Sequence, residues 1–267
     1  MKKINVVAIT EAGIMIALAS VLSVIKLLQL PYGGSVTVAS MLPIIIYAYR
    51  YGFSRGLGAA FTASVIQLLL GLKNFSYFTT WQSLIALGAF DYILAFSVFA
   101  IAPLFRKIMS YRSALVTAAF TSSVLRYICH VITGATVWAG LSVPTGAALV
   151  YSLSYNATYM IPETIVLVSS VLYMASALDF TSKIPKRIAL KATGNKAYTY
   201  RILAGLSVLV GVLVDTRIIF SKLQSDAGEF TFSSLSEVNW LAVIIVSLVC
   251  ALVCAMFYVL IRKSKVK

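Results

Sequence analysis

The stretch from Gln82 to Leu104 reads QSLIALGAFDYILAFSVFAIAPL, with Asp91 as its one charged residue. A helix rises about 1.5 Å per residue, so this segment reaches the roughly 30 Å of a bilayer's hydrocarbon core. A soluble surface helix would carry a polar face, and this one has none. Comparable apolar runs occupy residues 5–30, 36–49, 53–72, 113–140, 147–177, 202–222 and 238–261, so eight spans are expected in all. The second is short, and Pro31, Tyr32, Gly33 and Gly34 ahead of it predict a bent or partly unwound entry. The chain of 267 residues is 60% hydrophobic and 11% charged, against about 25% charged for a soluble domain. The fold class is therefore an all-α polytopic membrane protein, and soluble enzymes are excluded.

The formal net charge of +14 resolves into topology. Lys2 and Lys3 precede the first run, Arg50 and Arg55 follow the second, and Arg106, Lys107 and Arg112 follow the fourth. Lys183, Lys186, Arg187, Lys191, Lys196 and Arg201 follow the sixth, and Arg262, Lys263, Lys265 and Lys267 form the tail. These are 17 of the 22 basic residues, all in alternate connections. The opposite loops hold Lys73 and Lys222 with Asp226, Glu229 and Glu237. The positive-inside rule then places both termini in the cytoplasm and leaves no nucleic-acid footprint. The basic segment 178–201, with Pro185 and Gly194, separates six spans from a final pair. The apolar start after Lys2 and Lys3 has no small-residue cleavage site leading into a polar domain, so it is expected to stay as a span.

Much chemistry is missing. The chain has no phosphate loop, no H-E-x-x-H and no G-x-S-x-G, so it cannot drive ATP hydrolysis by a P-loop route. Cys129, Cys250 and Cys254 lie in apolar runs without metal-ligand spacing and read as packing residues. No internal repeat marks an inverted-repeat transporter. No cofactor or metal is expected.

Polar groups inside spans are costly and each needs a reason. They are Glu11, Asp91, Arg126, His130, Asn156, Glu163, Asp215 and Arg217. Asp91 lies about 22 Å from the basic end at Arg106, and His130 about 27 Å from Arg112. Asn156 lies about 13 Å in from the opposite end, near Tyr151. Asp91, Tyr92, His130, Trp138, Tyr151 and Asn156 therefore share the outer half of the membrane. A carboxylate, an imidazole, an amide and aromatic rings at one level suit a small, flat, cationic ligand. Bland readings compete: Trp138 and Tyr151 fit an aromatic belt, and His130 fits an interhelical hydrogen bond. Pairing of Asp91 with Arg126 competes equally with ligand contact. Glu163, next to Pro162, reads as deeper and structural. Gly13 with Ala17, and Gly52, Gly56, Ala60 and Ser64, form small-residue stripes that allow close helix approach, within the chain or to another subunit. Asp215 and Arg217 do not share a helix face and receive no role.

Several segments carry a resemblance: Leu30-Pro31-Tyr32-Gly33-Gly34-Ser35-Val36; Met41-Leu42-Pro43-Ile44 leading to Arg50-Tyr51-Gly52; and Asp91-Tyr92-Ile93-Leu94-Ala95-Phe96. The most specific are Leu125-Arg126-Tyr127 with His130-Val131-Ile132 and Gly134, and Tyr151 through Met160, YSLSYNATYM. Over about residues 8–177 the chain resembles the thiamine-specific S component of energy-coupling factor (ECF) vitamin transporters. The resemblance implies a six-helix S-component bundle over 1–177, with a basic cytoplasmic loop at 178–201 and two additional transmembrane helices within 202–267. It implies an acidic residue, Asp91, that meets the thiazolium charge, with Tyr92 beside it. His130, Tyr151 and Asn156 match ligand-contacting positions, and Trp138 a stacking one; Tyr77, Trp81 and Tyr155 are weaker candidates. Gly13 and Ala17 match the motif by which the first helix docks on the membrane scaffold subunit, EcfT, with two ATPase subunits supplying energy. The implied setting is the lipid of a bacterial cytoplasmic membrane, with thiamine as transported ligand.

The chain departs from the pattern in three places. Gly34 stands where some members carry Trp, residues 73–90 align poorly, and 178–267 lie beyond the six-helix core. Other readings are a stand-alone proton-coupled transporter using Asp91, Glu163 or Asp215, an S component for a thiamine precursor, and a structural or regulatory membrane protein.

Overall fold

A computed structural model describes residues 5–138, 148–182, 184–188, 195–223 and 233–263. It divides into two compact units, one ending at Lys186 and the other beginning at Arg187. Among the described residues, seven helices are long and apolar enough to cross a membrane.

The first unit opens with α1, Val6–Val24, whose start is capped by the Asn5 side chain accepting from the Ala8 N–H at 3.1 Å. The run expected over 5–30 does not stay helical to its end. Residues Lys26–Gln29 (β1) and Ser35–Thr37 (β2) form an antiparallel hairpin, closed by the Leu30 N–H donating to the Gly34 carbonyl at 2.7 Å. The expected second span over 36–49 is also corrected. α2, Leu42–Tyr51, is ten residues, about 15 Å by helix rise, and is too short to cross. Its hydrophobicity serves the core instead, since Ile44, Ile45 and Ala48 are fully buried. Gly52, at φ 87°, breaks the chain between α2 and α3, Phe53–Leu70. Gly56 of α3 packs against Ala48, so that small-residue stripe serves contact within the chain.

α4 runs Trp81–Arg106 and is interrupted by a π-helical stretch, Leu87–Leu94, and a 3₁₀ turn, Val98–Ile101. α5 is Tyr111–Thr136 and α6 is Ala148–Ala177, with Pro162 inside it. α5 and α6 pack closely because Gly134 leaves room for the Ser152 side chain, which donates to the Val131 carbonyl at 2.9 Å.

Arg50, Arg106 and Tyr111 tie elements of this unit together. Arg50 Nε lies 2.6 Å from Glu11 Oε1, and Arg50 Nη1 donates to the carbonyls of Phe180 and Ser182 at 3.0 and 3.1 Å. Arg106 donates to the Tyr49 carbonyl at 3.3 Å, and Tyr111 to that of Leu178. Outside, large side chains such as Val6, Ile9, Phe61 and Leu149 are exposed, as lipid-facing surface requires.

The second unit holds α7, Asn195–Leu223, and α8, Trp240–Lys263, packed antiparallel. Gly211 meets Cys250, Ser207 Oγ lies 3.2 Å from Cys254 Sγ, and Ser247 donates to Asp215 Oδ2 at 2.8 Å. α7 begins before the apolar run at 202 because its polar first turns extend past the stretch that hydropathy marks.

Candidate functional site

The first unit contains a cavity of about 650 Å³. The hairpin, the end of α3, the middle of α4, the last turns of α5 and the first half of α6 wall it. Asp91, Tyr92, His130, Trp138 and Asn156 all contribute to that wall, as do Tyr77 and Tyr155. Tyr151 is buried and is not among the residues that line it. Trp81 is 66% exposed at the start of α4 and is also outside it. Gly13 and Ala17 lie exposed on α1, and a Cβ on Gly13 would meet nothing within 4 Å.

Asp91 is the centre. It sits in the π-helical stretch of α4, where a widened turn displaces a side chain from the regular ladder. Its Oδ1 lies 2.9 Å from His130 Nδ1 and accepts from the Thr133 hydroxyl; its Oδ2 accepts from Trp138 Nε1 at 3.3 Å. Pairing of Asp91 with Arg126, open in the sequence, is not what forms. Arg126 instead donates from Nε to His130 Nε2 at 3.1 Å, and its Nη1 lies 3.9 Å from Glu163 Oε1. Its guanidinium also sits 4.3 Å from the Phe96 ring centroid. Glu163 is deep, as expected, and holds the hairpin. It accepts from the Thr37 N–H at 2.5 Å and from the Thr37 hydroxyl at 2.7 Å.

Aromatic rings flank the carboxylate. Tyr32 and Tyr77 approach Trp138 with centroids at 6.1 and 5.8 Å, and Phe78 packs edge-on at 4.7 Å. Tyr32 reaches this position from a left-handed backbone, φ 59°, at the hairpin tip. The Tyr92 hydroxyl accepts from Asn74 at 2.9 Å and donates to the Gly71 carbonyl at 3.2 Å, pinning the 71–77 connection. Asn156 donates to the Ser152 and His130 carbonyls at 2.9 and 3.2 Å and accepts from Tyr159 at 2.6 Å. A side chain at Gly34 has no room, since its Cβ would fall 2.8 Å from Tyr159 and 3.0 Å from Tyr155.

Residues 9–182 match the family model described as thiamine transporter protein, Thia_YuaJ. The chain belongs to this thiamine transporter family. It is also 34% identical over 189 residues to the thiamine transporter ThiT of Bacillus subtilis (strain 168), covering 64% of this chain and 93% of that protein. The family match ends within the first unit. Residues from Arg187 onward, including α7 and α8, lie beyond the family match.

Thr133, Tyr32 and Thr37 belong to the site or its support and were not singled out by spacing. Thr133 could have been, because it lies three residues past His130 on one helix face. Tyr32 depends on a positive φ at a turn, which no periodicity reveals.

Proposed function

We propose that this chain binds thiamine in the cavity at Asp91 and delivers it inward together with an ECF scaffold subunit, EcfT, and two ATPase subunits. The observation that carries the reading is a carboxylate held by neutral donors, a hydroxyl and an indole, beside an imidazole and between aromatic rings. That arrangement leaves negative charge for a ring cation and offers π-faces for cation–π contact with it. Trp138, Tyr32 and Tyr77 are the faces; His130, Asn156, Tyr92 and Tyr155 complete the wall around the uncharged part of the ligand.

The basic connections face the cytoplasm in this reading, so both termini do too and the cavity faces outward across the bacterial cytoplasmic membrane. The exposed small face at Gly13 and Ala17 is the docking surface for EcfT. The test is uptake by proteoliposomes. Thiamine should accumulate only when EcfT, both ATPase subunits and ATP are supplied with this chain; accumulation driven by a proton gradient with this chain alone would overturn the proposal.

A further inference from the structure

We propose that Arg126 is the positioning residue that keeps the Asp91 charge available to a cation, by holding His130 in its neutral form with the proton on Nδ1. The inference rests on the reading of the cavity as a thiamine site. A guanidinium has donors only. Its Nε–H stands 3.1 Å from His130 Nε2, so that nitrogen presents a lone pair. The single imidazole proton is then on Nδ1 and is donated to Asp91 Oδ1 at 2.9 Å. His130 serves Asp91 as a hydrogen-bond donor without cancelling its charge.

The surrounding charges explain why this needs Arg126. Two carboxylates, Asp91 and Glu163, lie in the same network, and Arg126 is the cation between His130 and Glu163. With His130 neutral and Arg126 turned toward Glu163, Asp91 faces the cavity as a carboxylate without a cationic partner, the complement of a monocation. The Arg126 and Glu163 side chains are only 11% and 5% exposed, so water screens this pair little. Lys26 and Lys73 also line the cavity, but both are exposed and solvated. Without Arg126, no donor faces Nε2, and a proton placed there leaves Nδ1 without the hydrogen it gives to Asp91.

His130 is the chain's one histidine, so protein labelled with ¹⁵N-histidine reports this imidazole alone. The expected wild-type spectrum shows a protonated Nδ1 and a bare Nε2. Arg126→Met should put a proton on Nε2 and weaken thiamine binding about tenfold or more. Arg126→Lys, which keeps a cationic donor, should restore the bare Nε2 and bring affinity to within about threefold of wild type. A protonated Nε2 in the wild type, or a bare Nε2 in Arg126→Met, overturns the inference. Should Arg126→Met not fold, Glu163→Gln serves. It leaves Arg126 in place and removes one carboxylate from the network, so thiamine should lose at least about fivefold more affinity than a neutral thiophene analogue; equal loss for both overturns the inference. A wild type with a bare Nε2 that binds no thiamine would instead sink the thiamine-site reading and leave the proton placement standing.

Discussion

Asp91 occupies a widened helical turn at the point where three donors from α5 and its C-terminal end converge on one carboxylate. The indole N–H of Trp138 is the longest of these contacts whose distance bears on energy, at 3.3 Å, so it stands at the weak end for a charged acceptor. Trp138→Phe keeps a ring and loses this donor; calorimetry should give thiamine affinity about fivefold lower, near 1 kcal/mol. Trp138→Ala, which also removes the aromatic face, should lose clearly more, and equal losses would deny the ring a part. At this scale the sequence was legible where helical spacing aligns side chains: Asp91, His130 and Asn156 meet as their depths implied. It was not legible where a loop decides. Tyr151 shares the depth of the site but is not in the cavity lining, because depth fixes level and not azimuth.

The hairpin between α1 and α2 is the element that hydropathy could not separate from a span. Leu27, Leu28, Leu30 and Val36 continue the apolar run of α1, yet Pro31 through Gly34 turn the chain back, and the strand pairing satisfies the backbone. Likewise α2 is hydrophobic because it is buried in protein rather than in lipid, a distinction that hydropathy alone does not make. Thr37 ties the hairpin to Glu163 through both its N–H and its hydroxyl. Thr37→Val leaves a buried carboxylate short of one donor, at a cost of about 1–3 kcal/mol. It should lower the melting temperature in detergent by several degrees, at about 2–4 °C per kcal/mol for a domain of this size. An unchanged melting temperature would mean that the hydroxyl contact adds nothing to the hairpin's hold.

At the scale of the first unit, the Arg50–Glu11 pair and the cavity draw on different residues. Arg50, with Glu11, Phe180 and Ser182, ties α1, α2 and the segment after α6 together. Helix α1 buries Ala8 and Ala19 but leaves Gly13 and Ala17 exposed, a smooth face on a helix otherwise rich in exposed Val and Ile. Ala17→Leu should leave thiamine affinity within about twofold of wild type and abolish ATP-driven uptake in reconstituted vesicles; unchanged uptake would remove α1 from the docking surface. A chain ending after Arg187 should still bind thiamine at wild-type affinity, because the family match and every residue assigned to the cavity lie before it; loss of binding by a folded truncation would give α7 and α8 a part in the site. Trp138 alone of the three tryptophans lines the cavity among the described residues, so its fluorescence reports on the ligand. The most direct measurement is a quenching titration of the purified full chain, wild type and Asp91→Asn, with thiamine and with a neutral thiophene analogue. Saturable quenching by thiamine, with Asp91→Asn weakening thiamine about tenfold or more and the analogue far less, is the predicted result. Absence of thiamine binding, or equal loss for both ligands, would contradict recognition of a cation by Asp91.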